Sequence, residues 1–267
     1  MLFFHFSGKV SYGQDILVAK TVDTSHNAVV AIMRYDSTGK LLTRATGVLI
    51  HPRVVLTAGH VRFVKTYKDG LKRQGLIAPS GKAFQSKQYI DFDWIEDVVT
   101  YPEEDDFQKS IRDTTGKLDA SMFFDIGLIF LSSPVLDKPI ANLPQAMLFQ
   151  KLSAATGFIG VGYGFHKIKD SSFKYAFIDG VRRKWKPQSI KIMNDKWLAA
   201  ACDTTIKQQF TSTGDSGSPI FINDDTIIAI HSSGGNYPES AKFNRLDNQV
   251  LLDWIKRSVS QKLGINF

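Results

Sequence analysis

The sequence predicts an all-β protein of two packed β-barrels followed by a C-terminal α-helix. Short apolar runs rich in β-branched residues recur along the chain, each bounded by turn formers. The chain has 267 residues, 43% of them hydrophobic, enough for a substantial core. All-β chains of this length commonly build one unit from two barrels. Near the end, from Asn248, the apolar residues Val250, Leu251, Trp254, Ile255 and Val259 take helical spacing.

Residues 29–33, 47–50 and 54–57 read as strands, with His51-Pro52-Arg53 as a turn. Residues 62–122 are lysine-rich, with an acidic patch at Glu103-Glu104-Asp105-Asp106. Part of that stretch reads as a surface loop inserted in the first barrel, either decorating it or framing a binding rim. The strand 126–131 ends at Ser132-Ser133-Pro134, and Pro134, Pro139 and Pro144 mark an inter-barrel linker. The second barrel is expected to start near Leu148. Pro219-Ile220-Phe221-Ile222 and Thr226-Ile227-Ile228-Ala229-Ile230 flank Asn223-Asp224-Asp225 as a hairpin. The expected division is 24–145 for the first barrel with its loop and linker, and 146–267 for the second barrel and helix.

Three strings carry chemistry. Gly214-Asp215-Ser216-Gly217-Ser218-Pro219 describes a tight turn that projects one serine hydroxyl and aims backbone N–H groups at one point. Alone it is weak, because Gly/Ser turns are common. Val54-Val55-Leu56-Thr57-Ala58-Gly59-His60 ends an apolar run in a histidine, and Phe123-Phe124-Asp125-Ile126-Gly127-Leu128-Ile129 holds one acid in an apolar strand. A histidine at a strand end is ordinarily a satisfied structural residue, and a buried carboxylate is ordinarily paired. Here each answers the other: Asp125 would accept from His60 Nδ1–H, and Nε2 would face Ser216 Oγ. The N–H groups of Gly214 and Ser216 would receive an oxyanion. The order His, Asp, Ser and the lack of a strand–turn–helix context argue against an α/β-hydrolase elbow.

These strings resemble the trypsin/chymotrypsin-like serine proteases. Val161-Gly162-Tyr163-Gly164 is similar to the glycine-aromatic strand opening the second barrel of many bacterial members. Phe243-Asn244-Arg245-Leu246-Asp247, leading to Leu252-Asp253-Trp254-Ile255, resembles the last strand and C-terminal helix. The similarity runs from about residue 26 to about residue 259, nearly the whole chain. It implies two packed six-stranded antiparallel β-barrels (chymotrypsin-like) with a C-terminal helix. It also implies a polypeptide substrate cut through an acyl-enzyme, no cofactor, a monomer, and secretion. A silent homologue acting as a binding module is the alternative, and such homologues usually lack one of the three residues.

In the family, the residue at Asp215 commonly pairs with the α-ammonium of a processed N-terminus. Asp15-Ile16-Leu17-Val18-Ala19 faintly resembles the processed start but lacks its glycines, so cleavage before Ile16 would pair it with Asp215. The other reading makes residues 1–23 a structural arm and gives Asp215 a different partner. Six residues before Ser216, where trypsins carry an aspartate, stands Phe210, which argues against trypsin-like basic specificity. Thr211 follows. His231 with Ser232-Ser233-Gly234 resembles the glutamyl endopeptidases, in which an imidazole and a hydroxyl hold a substrate carboxylate. The alternative is a pocket for small or apolar side chains, walled by Phe210 and Ala241. In both readings Ser232, Ser233 and Gly234 pair with the substrate backbone as an added strand.

Composition narrows the rest. The net charge of +7 is spread along the chain, with a short cluster at Arg182-Arg183-Lys184 and Lys186 read as solvated, so no nucleic-acid partner is expected. No run of about 18 apolar residues exists, so no membrane partner is expected. The apolar stretch 1–6 is shorter than the core of a signal peptide. The six histidines are scattered, so no metal site is expected. The single cysteine, Cys202, allows no internal disulfide, and Val61 stands where many animal relatives carry a cysteine beside the histidine. The chain therefore resembles a disulfide-free, microbial-type member, with Cys202 expected as a small buried apolar residue.

Overall fold

A computed structural model of the chain describes residues 16–17, 20–35, 41–61, 74–77, 93–101, 124–152, 157–164, 167–168, 180–187, 189–201, 211–234 and 241–267. Cys202, Phe210 and most of 62–122 lie outside them. In chain order the strands are β1 (Ile16–Leu17), β2 (Thr21–Val22), β3 (Val29–Tyr35), β4 (Leu41–His51), β5 (Val54–Thr57), β6 (Gln74–Ile77), β7 (Asp93–Tyr101) and β8 (Ile126–Leu131). After them come β9 (Ile159–Gly162), β10 (Lys167–Ile168), β11 (Arg183–Trp185), β12 (Ser189–Ile192), β13 (Trp197–Ala201), β14 (Pro219–Phe221), β15 (Ile227–Ser233) and β16 (Ala241–Arg245). The helix α1 (Gln249–Leu263) closes the chain.

Strands β3-β4-β5-β8-β7-β6 close into an antiparallel barrel. Two of its six strands, β6 and β7, lie inside the stretch read from sequence partly as an inserted loop. Their signal is weak for physical reasons. β6 is four residues with a central glycine, and β7 carries Asp93, Glu96 and Asp97 around a bulge between Ile95 and Asp97 that breaks its alternation. The second unit is an antiparallel sheet of order β12-β13-β16-β15-β14-β9-β11-β2. It has eight strands rather than six, and one of them, β2 from the N-terminal arm, adds to the β11 edge through Arg183↔Val22 and Lys184↔Thr21. One closed barrel and one eight-stranded antiparallel sheet are consistent with the two-barrel architecture expected from the sequence.

The inner strands read as unbroken apolar runs because both faces are covered. Along β5 and β8, Val54, Leu56, Leu128 and Phe130 join one core cluster. The alternate residues Val55, Ile129 and Leu131 join another. The first cluster also takes Val161, Tyr163, Phe221 and Ile230 from the second unit, together with Leu251, Ile255 and Val259 of α1. One continuous core thus joins both sheets and the helix. The helix starts where Asn248 Oδ1 accepts from Leu251 N at 3.2 Å and stops where Gly264 takes φ 66°. Its buried face is Leu251, Leu252, Trp254, Ile255 and Val259, whereas Val250 is 59% exposed. The sequence reading had placed Val250 on the core face; the helix instead turns Leu252 inward.

The arm between β2 and β3 is fixed by a buried charge cluster. Asp23 accepts from Arg182 Nε at 2.7 Å, His26 Nδ1 at 2.7 Å and His26 N at 3.1 Å. Arg182 Nη2 also donates to Asn27 Oδ1 at 2.8 Å. Arg182 and Arg183 are both buried, which corrects their reading as a solvated basic cluster. An aspartate far away in sequence supplies the counter-charge, and a charge count along the chain does not reveal it.

Candidate active site

The first barrel supplies His60 and Asp125. β5 runs straight into Ala58-Gly59-His60, and Asp125 sits one residue before β8, the strand paired with β5. Pairing of adjacent strand ends therefore sets the two side chains together. Asp125 Oδ1 accepts from His60 N at 2.7 Å. Its Oδ2 is 2.6 Å from His60 Nδ1 and 2.5 Å from Ser232 Oγ, which donates. An ionised carboxylate only accepts, so Nδ1 carries the proton and Nε2 is left with its lone pair. Burial pushes the Asp125 carboxyl up, but the donors from His60 and Ser232 outweigh it and hold the group below the usual carboxylate range. Asn244 brackets the Asp125 backbone: its Oδ1 accepts from Asp125 N at 2.8 Å, and its Nδ2 donates to Asp125 O at 3.1 Å.

The second unit supplies Ser216. His60 Nε2 lies 2.9 Å from Ser216 Oγ, so the hydroxyl proton has its acceptor. The serine sits in a turn with Gly214 at φ 97° and Gly217 at φ 84°. At Gly217 a Cβ would stand 2.0 Å from Thr46 O of the first barrel, so no larger residue fits that contact. Thr46 pins the turn across the interface: its N donates to Ser216 O at 2.8 Å and its Oγ1 to Gly214 O at 2.9 Å. The N–H groups of Asp215, Gly217 and Ser218 go to Ser212 O, His231 O and Asp215 O. Among the described residues, the N–H groups of Gly214 and Ser216 have no acceptor. These are the two named from the sequence as oxyanion donors.

Asp215 is buried within the same turn. Its Oδ1 accepts from Gly164 N at 2.9 Å, and its Oδ2 accepts from Ser212 N at 2.8 Å and Ser212 Oγ at 3.1 Å. Lys20 Nζ also donates to Oδ2, and both side chains are 0% exposed. In the uncut chain the partner of Asp215 is thus Lys20 and not Ile16, which lies in β1 opposite Ile168 of β10.

The residues expected to bind substrate separate into different roles. Ser232 commits its hydroxyl to Asp125. Ser233 and Gly234 are exposed beyond the buried part of β15. Thr211 is buried and donates from Oγ1 to Gly234 O at 3.3 Å. Ala241 packs in the core of the second unit beside Ala200 and Phe243. His231 is 3% exposed, with its ring edge-on to Phe243 at 5.0 Å. The Asp215 carboxylate, and to a lesser degree its carbonyl, favour a protonated ring, but neither ring nitrogen reaches a hydrogen-bond partner. Burial dominates and pushes the imidazole down to about 4, so the ring is neutral at physiological pH.

Sequence reading missed Lys20, Thr46 and Asn244. A lysine offers no signal, since nearly all lysines are solvated. Asn244, a polar residue between Phe243 and Arg245 in a strand-like run, carried a weak one. Among the described residues no group of three His, Cys, Asp or Glu is placed to hold a metal. No described helix is long and apolar enough to cross a membrane.

The sequence model of the family described as Trypsin matches residues 19–255. Two solved structures are similar in fold. One is the scabies mite inactivated protease paralogue S-I1, at 17% identity and TM-score 0.64, covering 91% of this chain and 99% of that one. The other is the Vibrio cholerae VesB protease, at 15% identity and TM-score 0.62, covering 92% of this chain and 68% of that one. Comparison with curated protein sequences finds no match.

Proposed function

The chain belongs to the trypsin family, and we propose that it is a serine endopeptidase working through an acyl-enzyme on Ser216. The observation that carries the proposal is the unbroken line from Asp125 Oδ2 through the His60 ring to Ser216 Oγ, at 2.6 and 2.9 Å. Ser216 Oγ attacks the peptide carbonyl carbon as its proton passes to His60 Nε2. The oxyanion so formed accepts from the N–H groups of Gly214 and Ser216, each such donor being worth about 3 kcal/mol in the transition state. Collapse breaks the C–N bond, and the leaving amine takes the proton from Nε2. Water then attacks the ester, gives a proton to Nε2, and the acid product departs as Ser216 recovers its hydrogen. Asp125 holds the imidazole in the required tautomer and stabilises its cationic form.

Silent homologues usually lack one of these groups, and here all three stand within reach of one another, which favours the enzyme reading. Replacing Ser216 by Ala should give a folded protein with peptide hydrolysis reduced at least about 10⁴-fold. It should also abolish labelling by an organofluorophosphonate. Hydrolysis by Ser216→Ala at the parent rate would overturn the reading.

For specificity, the reading is a preference for Glu or Asp at the cleaved position. It is supported by the two buried ring nitrogens of His231 that lack partners. Burying a polar group without a partner costs about 1–3 kcal/mol, so such a group is suited to receive a ligand. A neutral imidazole donates one N–H to a carboxylate; the Thr211 hydroxyl, which donates to Gly234 O, would have to turn from that carbonyl to supply a second. The peptide substrate itself would lie along residues 232–234 as an added strand.

A further inference from the structure

The buried ammonium behind the nucleophile turn takes no part in the steps above. We propose that Lys20 is a positioning residue whose side-chain ammonium, in the uncut chain, neutralises Asp215 and so keeps the amides of Gly214 and Ser216 aimed at the oxyanion. The proposal rests on the endopeptidase reading and adds that the enzyme needs no proteolytic activation.

Asp215 is fully buried, and its contacts with Gly164 N, Ser212 N and Ser212 Oγ are all to neutral donors. A buried carboxylate without a cation is strongly destabilised. Lys20 Nζ is the cation in contact with it, and it lies 3.4 Å from Ser212 Oγ and 5.1 Å from the Trp185 ring. Asp215 stands between the two amides that matter, and its carboxylate ties the turn to Gly164 of the neighbouring strand end. Releasing that carboxylate would let the peptide groups on either side of it rotate.

The arm is built to deliver this lysine. Directly after Lys20, Thr21 and Val22 pair with Lys184 and Arg183, and Asp23 is locked to Arg182 and His26. Upstream of it, Ile16 and Leu17 pair with Ile168 and Lys167. The backbone therefore runs past Asp215, and a side chain, not a chain end, supplies the charge.

Three measurements on the full-length protein test this. Intact-mass analysis after organofluorophosphonate labelling should find the adduct on uncut chain. An adduct confined to chains beginning at or near residue 20 would overturn the proposal. Lys20→Met should lower kcat about 10²–10³-fold, the size of losing an oxyanion donor, with KM changed only a few-fold. In Lys20→Ala, n-propylammonium should restore part of the lost kcat, and tetramethylammonium should not. Hydrogen exchange reads the turn without relying on catalysis. The Gly217 and Ser218 amides should exchange faster in Lys20→Met, and propylammonium should slow them again in Lys20→Ala. If Lys20→Met does not fold, the double variant with Asp215→Asn removes both charges; it should fold with the same amides still fast.

The two readings fail separately. Parent protein that neither labels nor hydrolyses sinks the endopeptidase reading, whereas active parent with unchanged Lys20 variants sinks only the positioning role. Unchanged exchange at Gly217 and Ser218 also sinks it.

Discussion

Three donors converge on the carboxylate of Asp125, and each fixes something different. His60 N holds its orientation, Ser232 Oγ occupies a lone pair that would otherwise be buried unused, and Nδ1 selects the tautomer. Directly before Ser232 in the chain, His231 has no such partners, and this contrast makes it testable. The free ring titrates at about 4 because it is buried. A bound carboxylate favours the protonated ring and raises that value, so between the two values binding takes up a proton. Affinity for an anionic side chain then falls as pH rises through that window, by at most about tenfold per unit. KM for a substrate with Glu at the cleaved position should therefore rise with pH above about 4.5, while KM for its Gln counterpart stays flat. His231→Val should bring the two substrates to similar kcat/KM. Parallel KM profiles in the parent would remove the carboxylate reading. At this scale the three catalytic candidates were legible, because a histidine ending an apolar run and an acid inside one are unusual enough to demand partners. Lys20 was not legible: its role depends on where the arm turns, and no local pattern encodes that.

Among the elements, those with uninterrupted β-branched sequence were readable to the residue. β5 and β8 coincide with the expected spans 54–57 and 126–131. They are covered on both faces, so all positions but Thr57 at the end of β5 are apolar or glycine and nothing competes with the strand reading. β2, β6 and β7 were not read, since two-residue edge pairing, a span with only Leu76 and Ile77 as apolar side chains and a bulge each leave too little of the period on which such reading depends. The helix gives the prediction proper to this scale. Ile255 is fully buried against both sheets, so Ile255→Ala should cost about 2–5 kcal/mol. Val250→Ser, on the exposed face, should stay within about 0.5 kcal/mol. Denaturant midpoints of the two variants check this; equal losses would mean the helix does not dock as described.

For the whole molecule, buried charge replaces the covalent staples that one cysteine does not permit. Asp23 is held far below the usual carboxylate range: burial opposes this, but His26 and Arg182 outweigh it. Asp125 is depressed as well. A depressed carboxylate contributes stability that is complete above its unfolded value, about 3.9, and is lost as pH falls through the lower folded value. His231 acts over a different window: its unfolded value is about 6.5 and its folded value about 4, so stability declines as pH drops between them. Unfolding free energy should thus fall gently from about pH 6.5 to 4 and more steeply below. Asp23→Asn should cost about 3–5 kcal/mol near neutrality, because it leaves Arg182 buried and unpaired, and it should flatten the steep part. A pH series of denaturant midpoints for both proteins reads these slopes.

The nucleophile, its base and the clamp on the acid come from three distant stretches of chain, with Thr46 joining the two units at Ser216. During synthesis the ribosome releases base and acid first, the serine some ninety residues later, and Asn244 near the end. Until the last strand is in place, the growing polypeptide carries His60, Asp125 and Ser216 without the amide that brackets the Asp125 backbone.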